Sequence, residues 1–359
     1  MKKFFVVLVV FALLVASGIA LFGERLVVAA MTNQVRANIS GQVLNALPDG
    51  LHLMLCGAGA PLPDPSRAGP CIMVLAGQDL YVVDVGSGSV RNFGPMGVPT
   101  GRVEALLLTH FHSDHLDGLG ELMTTRWAGG GKDTPLPVYG PTGVAQVVAG
   151  FNMAYAQDFG YRIAHHGEAV VPKSGAGAKA FPFRLPVTGE GYEVIARNGV
   201  KITAFAVEHA PVAPAVGYRF DYKGRSLVIS GDTKASQNLV AFSQGVDLLA
   251  HEALSPAVVK IMGDAAELEG AAHIQKITVD ILDYHTTPVQ AAEIAQQAGA
   301  GMLLLYHLVP PLPVKPLEYL FMRGVADAFD GPVELGKDGM LISLPAGGDQ
   351  IVVDMLLAY

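Results

Sequence analysis

The sequence has few cysteines and few charged residues, and each shortage excludes some classes of protein. Only 2 of the 359 residues are cysteines, which excludes a disulfide-rich scaffold and a zinc site built from thiolates. Cys56 and Cys71 could pair with each other, but their spacing alone leaves this open. Charged residues make up 16% of the chain and hydrophobic residues 51%, which excludes disorder as the dominant state. Acidic residues outnumber basic ones by 32 to 24, and this lack of positive charge disfavours a general nucleic-acid binder.

A long uncharged run stands at the amino terminus. It extends from Phe4 to Phe22 and follows Lys2 and Lys3, and about 20 apolar residues suffice to cross a bilayer. We therefore expect residues 1–25 to be a transmembrane anchor or, as the alternative, a cleaved signal sequence. The two lysines would stay in the cytoplasm. The rest of the chain is then expected to be exported to the periplasmic or extracellular face, either membrane-anchored or secreted.

The remaining sequence divides into a linker over residues 26–50 and one globular domain over residues 51–359. Short apolar runs in the domain predict buried strands, and they lie at Leu51–Leu55, Cys71–Leu75, Leu80–Val85, Val103–Leu108, Val200–Val207, Ser226–Ile229, Val246–Leu249 and Gly301–Tyr306. Helical stretches lie between them, and the clearest is Pro288–Ala298 with Thr286 or Thr287 as its cap. Strands and helices that alternate in this way predict a single layered α/β domain.

A dense group of potential metal ligands follows the apolar run Val103–Leu108. His110, His112, Asp114 and His115 fall within six residues at the expected end of a strand. A tight turn there can aim alternate side chains at one point, so that the first two hold one cation and the last two a neighbouring one. Imidazole nitrogen and carboxylate oxygen suit zinc, and an incomplete ligand set leaves positions for water. The alternative is a polar turn that is rich in histidine by chance.

Three further candidate ligands stand at the ends of other predicted strands, namely His209, Asp232 and His307. Because α/β folds gather their sites at strand ends, we expect these residues to meet the first four. Asp232 is expected to bridge two cations with its two carboxylate oxygens. The sequence therefore predicts a dinuclear site that holds two Zn²⁺ per chain, with Mn²⁺ as the alternative ion.

The pattern His-x-His-x-Asp-His at residues 110–115 resembles the hallmark of the metallo-β-lactamase superfamily. Other stretches resemble its ribonuclease Z-like branch, which includes arylsulfatase-like proteins, and these are Cys56–Gly59, Pro65–Arg67, Asp84–Gly86, Val138–Pro141, Gly217–Arg219, Ser230–Thr233, His251–Ala253, Tyr284–Pro288, Gln290–Ala292 and Tyr306–His307. The resemblance implies an α/β fold, an αββα sandwich of two mixed β-sheets flanked by helices, with a dinuclear zinc site at one edge. It also implies how the ligands are divided. His110, His112 and His209 would hold the first zinc, and Asp114, His115 and His307 would hold the second. Asp232 would bridge the two.

This family likeness implies hydrolysis by a hydroxide that bridges the two metals. Asp114 would help to orient the attacking water as well as bind metal. His285 precedes the helix that begins at Pro288, and we expect it to donate a hydrogen bond or a proton to the leaving oxygen. Glu252 would hold His285 in orientation, and Asp84 would support a ligand histidine. Ordinary turn capping is the alternative for both carboxylates.

The ester that is cleaved is the least determined feature of the sequence. Ribonuclease Z proteins carry a long arm that grips tRNA, whereas His209 and Asp232 lie only 23 positions apart (232 − 209) and leave room for one hairpin. Leu254 stands where that branch has threonine after His-Glu-Ala. The leading expectation is therefore a small phosphate or sulfate ester as substrate, cleaved by a phosphodiesterase or arylsulfatase-like activity.

Three alternatives to this activity stay open. The first is a ribonuclease Z-type endoribonuclease that acts on RNA 3′ ends, although the acidic composition disfavours a nucleic-acid partner. The second is a lactonase or thioesterase, because the same hydroxide attacks a carbonyl carbon. The third is an inactive, membrane-tethered binding protein. By analogy with the branch, we also expect a homodimer.

Overall fold

The computed structural model describes Phe4 and residues 23–357. Apart from Phe4 and residues 23–25, the expected anchor or signal sequence lies outside this part of the chain. Residues 23–40, most of which were expected to belong to a linker, form helix α1. No helix among the described residues combines the length and the hydropathy that crossing a bilayer requires.

The strands carry most of the domain. They are β1 (Gly50–Gly57), β2 (Cys71–Ala76), β3 (Asp79–Val83), β4 (Val103–Leu107), β5 (Leu136–Pro141), β6 (Ala178–Phe183), β7 (Gly191–Arg197), β8 (Val200–Ala206), β9 (Val216–Tyr222), β10 (Arg225–Ile229), β11 (Leu248–Leu254), β12 (Leu303–Val309), β13 (Val333–Leu335), β14 (Met340–Pro345) and β15 (Val352–Met355). One sheet has the order β15-β14-β1-β2-β3-β4-β5-β6, and the other has the order β13-β12-β11-β10-β9-β8-β7. Both sheets are mixed, since β3 to β6 and β10 to β13 run parallel while their other pairs are antiparallel.

Helices lie outside the two sheets. They are α2 (Gln42–Ala46), α3 (Leu119–Thr124), α4 (Val144–His166), α5 (Gln237–Phe242), α6 (Pro256–Leu268), α7 (Ala272–Asp280), α8 (Pro288–Ala298), α9 (Lys315–Phe321) and α10 (Val325–Ala328). Helix α8 has the predicted bounds, and its cap is Thr287, which forms a capping box with Gln290. The C-terminal stop is Gly299 in the left-handed conformation, which glycine adopts without steric cost.

Three layers of buried apolar side chains hold this arrangement together. The central layer lies between the sheets and includes Leu53, Tyr218 and Leu304. Each sheet buries its other face against helices, as Met73 does in the first sheet and Leu303 in the second. Strands that are covered on both sides are apolar throughout, which is why they appear in the sequence as continuous hydrophobic runs. The predicted αββα sandwich is confirmed.

The two cysteines lie on neighbouring strands of the first sheet. Cys56 in β1 and Cys71 in β2 form a disulfide, and both are fully buried. The register between these strands shifts between Leu55 and Gly57, next to this link. The pairing that the sequence leaves open is therefore present, and it joins the two strands at the ends from which the loop of residues 58–70 leaves the sheet.

Candidate metal centre

The histidine-rich segment follows β4, as predicted, and ends in a tight 3₁₀ turn. His110 and His115 are fully buried, Asp114 is 9% exposed, and His112 lies nearer the surface. The turn Ser113–His115 carries two of these side chains back toward the first histidine. As a result, the ring centroids of His110 and His115 are 4.1 Å apart. The local backbone therefore converges these side chains on one place.

The other three predicted ligands come from the second sheet. His209 follows β8 and Asp232 follows β10, as the sequence predicts. His307, in contrast, lies inside β12. The pairing with β11 skips it, because Glu252 pairs with Tyr306 and Ala253 pairs with Leu308. The φ of 46° at His307 is left-handed backbone, which departs from the extended conformation of its strand neighbours and marks the bulge. The bulge explains how a strand residue can turn its ring toward the site.

All seven predicted ligands come together in two adjoining groups. Within each group the ligand atoms lie within 4.8 Å of one another, and the groups are His110, His112, His209 and Asp232, and Asp114, His115 and His307. The Asp232 Oδ2 atom lies between the groups. It is 3.9 Å from Nε2 of His110 and of His209 and 3.3 Å from Nε2 of His115 and of His307. One carboxylate therefore faces both groups.

Hydrogen bonds fix the orientation of three of the imidazoles. His115 Nδ1 donates to the Asp84 carboxylate at 2.8 Å, and His209 Nδ1 donates to the carbonyl oxygen of Tyr284 at 2.9 Å. His110 Nδ1 lies 3.0 Å from Oγ1 of Thr109, whose own hydrogen goes to Asp84 at 2.7 Å. Asp84 thus supports one ligand directly and another through Thr109, and its turn-capping bond to the Thr109 amide at 2.8 Å is present as well.

The atoms left over by these bonds have the chemistry of a metal site. Nε2 of His110, His115 and His209 and Oδ1 of Asp232 are buried and have no hydrogen-bond partner among the described residues. Buried polar atoms without partners are costly, so several at one point need an explanation. In the neutral ring, an Nδ1 that donates its hydrogen leaves a lone pair on Nε2, which is the form in which imidazole binds a metal. These residues therefore fit a pair of divalent cations.

The electrostatics of the centre point the same way. Burial lowers the pKa of His110 well below its usual range, which keeps its ring neutral and able to coordinate. Burial also acts to lower the pKa of His115, but the carboxylates of Asp232, Asp84 and Asp114 override it and raise this pKa well above the usual range. Three carboxylates around one imidazole make a place that favours positive charge, which a bound cation supplies.

His285 and Glu252 lie together beside this centre. Glu252 is fully buried, and its Oε1 accepts hydrogen bonds from Nδ1 of His285 at 3.0 Å and from the amides of Thr286 at 3.0 Å and Thr233 at 3.2 Å. A ligand atom of His285 also lies within 4.8 Å of those of Asp232 and His307. Burial acts to lower the pKa of His285, but the Glu252 carboxylate outweighs it and raises this pKa to about 9.

Sequence reasoning missed some of the contacts that build the centre. The Tyr284 carbonyl that holds His209 is a backbone group, and no side-chain pattern reports it. Thr109 precedes the motif and has no feature that distinguishes it from an ordinary turn residue. For Glu252, the predicted contact with His285 and the alternative of a capping bond both occur, because one oxygen accepts from the ring and from two backbone amides.

Known proteins share both this sequence pattern and this fold. A family model described as "Beta-lactamase superfamily domain" matches residues 82–308. A Ribonuclease Z from Mycobacterium avium is 38% identical over 290 residues, which span 80% of this chain and 96% of the relative. A metallo-β-lactamase fold protein, YhfI from Bacillus subtilis, has a TM-score of 0.58 at 21% identity, over 82% of this chain and all of the neighbour. The short form of human tRNase Z has a TM-score of 0.56 at 21% identity, over 82% and 99%.

The expected export to the periplasmic or extracellular face is wrong. The relative that matches 80% of this chain is named Ribonuclease Z, and Ribonuclease Z homologues are cytoplasmic. The expectations of a membrane anchor and of an arylsulfatase receive no support from these similarities either. An apolar amino-terminal run was a weaker guide than similarity over the folded domain, because such a run carries no information about the site.

The family match covers more than half of the chain and includes all seven of the assembled residues, from His110 to His307. An inactive binding protein is therefore not supported. The chain belongs to the metallo-β-lactamase superfamily, and it is a metal-dependent hydrolase that acts on ester bonds.

Proposed function

We propose that this chain is a dinuclear zinc phosphodiesterase of the ribonuclease Z type, which cleaves RNA near 3′ ends. The observation that carries the proposal is the 38% identity to a protein named Ribonuclease Z over 96% of that protein's length. This is the second of the activities considered from the sequence, and it replaces the leading expectation of a small phosphate or sulfate ester. A phosphodiester is the ester that both activities have in common.

The missing arm does not argue against this activity. Between His209 and Asp232 the chain forms only β9 and β10, joined by a tight turn at Lys223 and Gly224. Because a relative named Ribonuclease Z aligns over 96% of its own length with this armless chain, little of that relative remains to form a long arm. The relative named Ribonuclease Z is therefore about as long as the part of this chain that it matches.

In the proposed site His110, His112 and His209 would hold the first zinc and Asp114, His115 and His307 the second, and Asp232 would serve both. The support is the position of Asp232 Oδ2, within 3.3 to 3.9 Å of four imidazole nitrogens from the two groups. When bound, a pair of divalent cations supplies Lewis acidity that activates water and neutralises negative charge on the phosphate oxygens. Mn²⁺ is the alternative ion.

The remaining chemistry falls to protein side chains. Asp114 has a side chain that is 12% exposed, and it accepts a hydrogen bond from the attacking water and orients it. As the bond from this water to phosphorus forms and the bond to the leaving oxygen breaks, His285 donates a proton to that oxygen. Glu252 holds the His285 ring through Nδ1 and stabilises its positive charge, so the other ring nitrogen faces the substrate.

The test is a comparison of substrates with zinc-loaded protein. A precursor tRNA with a 3′ extension, an aryl phosphodiester and an aryl sulfate are incubated at equal concentration, and kcat/KM is measured for each. We expect cleavage of the precursor at its 3′ side with the highest kcat/KM, slower cleavage of the phosphodiester and none of the sulfate. An Asp232→Ala variant serves as the inactive control. Hydrolysis of the sulfate with no cleavage of RNA would contradict the proposal.

A further inference from the structure

The loop that joins β1 to β2, residues 58–70, lies beside the second group of ligands. At its first end the carbonyl oxygen of Ala58 accepts a hydrogen bond from the amide of Leu308 at 3.1 Å. Leu308 directly follows His307, and it resumes the strand after the bulge. The first end of this β1–β2 loop therefore fixes the backbone just behind one ligand.

The second end of the β1–β2 loop packs against Gly86, which in turn lies against the backbone of Asp114. Gly69 packs against Gly86 so closely that a β-carbon on Gly86 would collide with Gly69 and with the carbonyl oxygen of Asp114. The neighbouring Val85 donates a hydrogen bond to the carbonyl of His115 at 2.8 Å. The three backbones are thus in direct contact, and the position of Gly69 helps to determine where Asp114 lies.

One buried carboxylate binds both ends of this loop. Asp338 Oδ1 accepts from the amide of Ala58 at 2.9 Å, and Oδ2 accepts from the amide of Ala68 at 2.8 Å. The side-chain amide of Asn92 donates to Oδ2 at 2.8 Å and also to the carbonyl of Cys56 at 2.8 Å. Asp338 is 4% exposed and lies in the turn between β13 and β14, where the chain passes from one sheet to the other.

We propose that Asp338 is a positioning residue for the second zinc, because it fixes the spacing between the backbones that carry Asp114 and His307. The inference rests on the proposed dinuclear function. Asp338 acts through the two ends of the β1–β2 loop, of which one holds Leu308 and the other packs against Gly86, next to the backbone of Asp114. The histidines of the first zinc are positioned by other contacts, so Asp338 does not determine where they lie.

The chemistry of Asp338 supports a role that asparagine cannot fill. A carboxylate offers two acceptor oxygens, whereas an amide offers one acceptor and one donor, and here each oxygen faces a backbone N–H. The carboxylate is held at a cost, since burial raises the pKa of Asp338 to about 6 although the Ala68 amide opposes this shift. A buried group that costs stability and yet holds two loop ends is better explained by placement than by stability.

The test compares zinc binding to wild-type protein and to Asp338→Asn, by titration against a chromophoric zinc chelator. Losing a group that supports metal ligands typically weakens metal binding by about 10- to 100-fold. We therefore expect two zinc ions in the wild type, and in the variant an unchanged first affinity with a second affinity lower by about 10-fold or more. Asp349→Asn, an exposed position, is the matched control and should bind both ions normally.

Zinc-free protein distinguishes positioning from general support. A merely structural role would lower the thermal stability of the zinc-free variant and weaken both sites equally, and either result would overturn the inference. Asn92→Ala removes one donor to Asp338 and keeps the carboxylate, so it should weaken the second site by several-fold. If Asp338→Asn does not fold, Asn92→Ala tests the inference by itself. Wild-type affinity for both zinc ions in that variant would contradict the proposal. A wild type that binds fewer than two zinc ions would contradict the dinuclear function itself.

Discussion

At the scale of single residues, the centre is a concentration of buried charge that cannot have been retained for stability. Asp232 is 2% exposed and Asp114 is 9% exposed, and burying an ion costs several kcal/mol even after relaxation. Burial alone would raise the pKa of Asp232, but the facing imidazoles of His307 and His115 hold it well below its usual range. Charge that is expensive to bury and that converges on unpartnered nitrogens is typical of a functional site.

The first residue-scale prediction concerns His285. Replacing His285 with alanine should leave zinc content unchanged and lower kcat by about 10² to 10⁴, because one positioned proton donor is lost. Zinc content by atomic absorption and single-turnover cleavage of a phosphodiester give the two readouts. The exposed His273 provides a matched histidine-to-alanine control, and this control should keep the wild-type rate.

Glu252 allows a second readout of the same prediction. Glu252→Gln keeps an oxygen for the amides of Thr233 and Thr286 but removes the negative charge beside His285. The variant should therefore bind zinc normally and lose part of the rate. Full activity of both variants on every substrate would show that the leaving oxygen obtains its proton elsewhere.

At the scale of elements, the ends of strands and helices place the side chains. The bulge at His307 turns a strand residue toward the metals, and Thr287 begins α8 directly after the segment that carries His285. The sequence predicted α8 correctly because its cap, first-turn proline and terminal glycine are all local signals. The bulge was not predicted, because it arises from pairing with β11, a partner that is distant in sequence.

Strand lengths show the same division between local and distant causes. The apolar run Val246–Leu249 predicted a strand, whereas β11 extends from Leu248 to Leu254 and includes the buried His251 and Glu252. Polar residues inside a strand interrupt the hydrophobic pattern, so the predicted strand ended too early. Residues 26–40 were expected to belong to a linker because they show little periodicity, and they nevertheless lie in α1.

The prediction at this scale concerns the cap of α8. Thr287→Ala removes the side-chain oxygen that accepts from the Gln290 amide at 3.2 Å, and loss of such a cap typically costs about 1 kcal/mol. The free energy of unfolding in urea should fall by about that amount. Thr134 is exposed, so Thr134→Ala is the control and should change little. Equal stability of the two variants would mean that the capping box contributes nothing measurable.

At the scale of the whole molecule, the centre joins the two sheets. His110, His112, Asp114 and His115 follow a strand of the first sheet, whereas the other three ligands come from the second. The sequence predicted that these seven side chains meet, because their residue types are rare and clustered at strand ends. It did not predict Asp338, because an aspartate in a turn has no distinctive pattern and its partners lie 280 and 270 residues away.

Function was predictable to a lesser degree than the fold. The metal ligands indicate the type of reaction, which is hydrolysis. The choice of ester depends on the protein surface around the metals, where a single residue carries little information. The acidic composition and the missing arm favoured a small ester, and similarity to a Ribonuclease Z favours RNA. The wrong expectation about export came from a segment that, apart from Phe4, lies outside the described residues.

The prediction for the whole molecule is that metals stabilise the sandwich. A ligand at about 1,000 times its dissociation constant adds roughly 4 kcal/mol to the free energy of unfolding, so removing zinc with a chelator should lower Tm on the order of 10 °C. Differential scanning calorimetry before and after chelation, and after zinc is restored, measures this shift. Asp232→Ala should show no zinc-dependent shift, and an identical Tm for zinc-loaded and zinc-free wild type would contradict the prediction.

The distribution of ligands over both sheets has a consequence for biosynthesis. The first ligand is His110 and the last is His307, so a nascent polypeptide cannot assemble the centre until nearly the entire domain has left the ribosome. A prematurely terminated product would keep the complete His-x-His-x-Asp-His motif and still lack its second sheet of ligands. Catalytic competence is thereby withheld from fragments, and an incomplete translation product cannot act as an unregulated hydrolase.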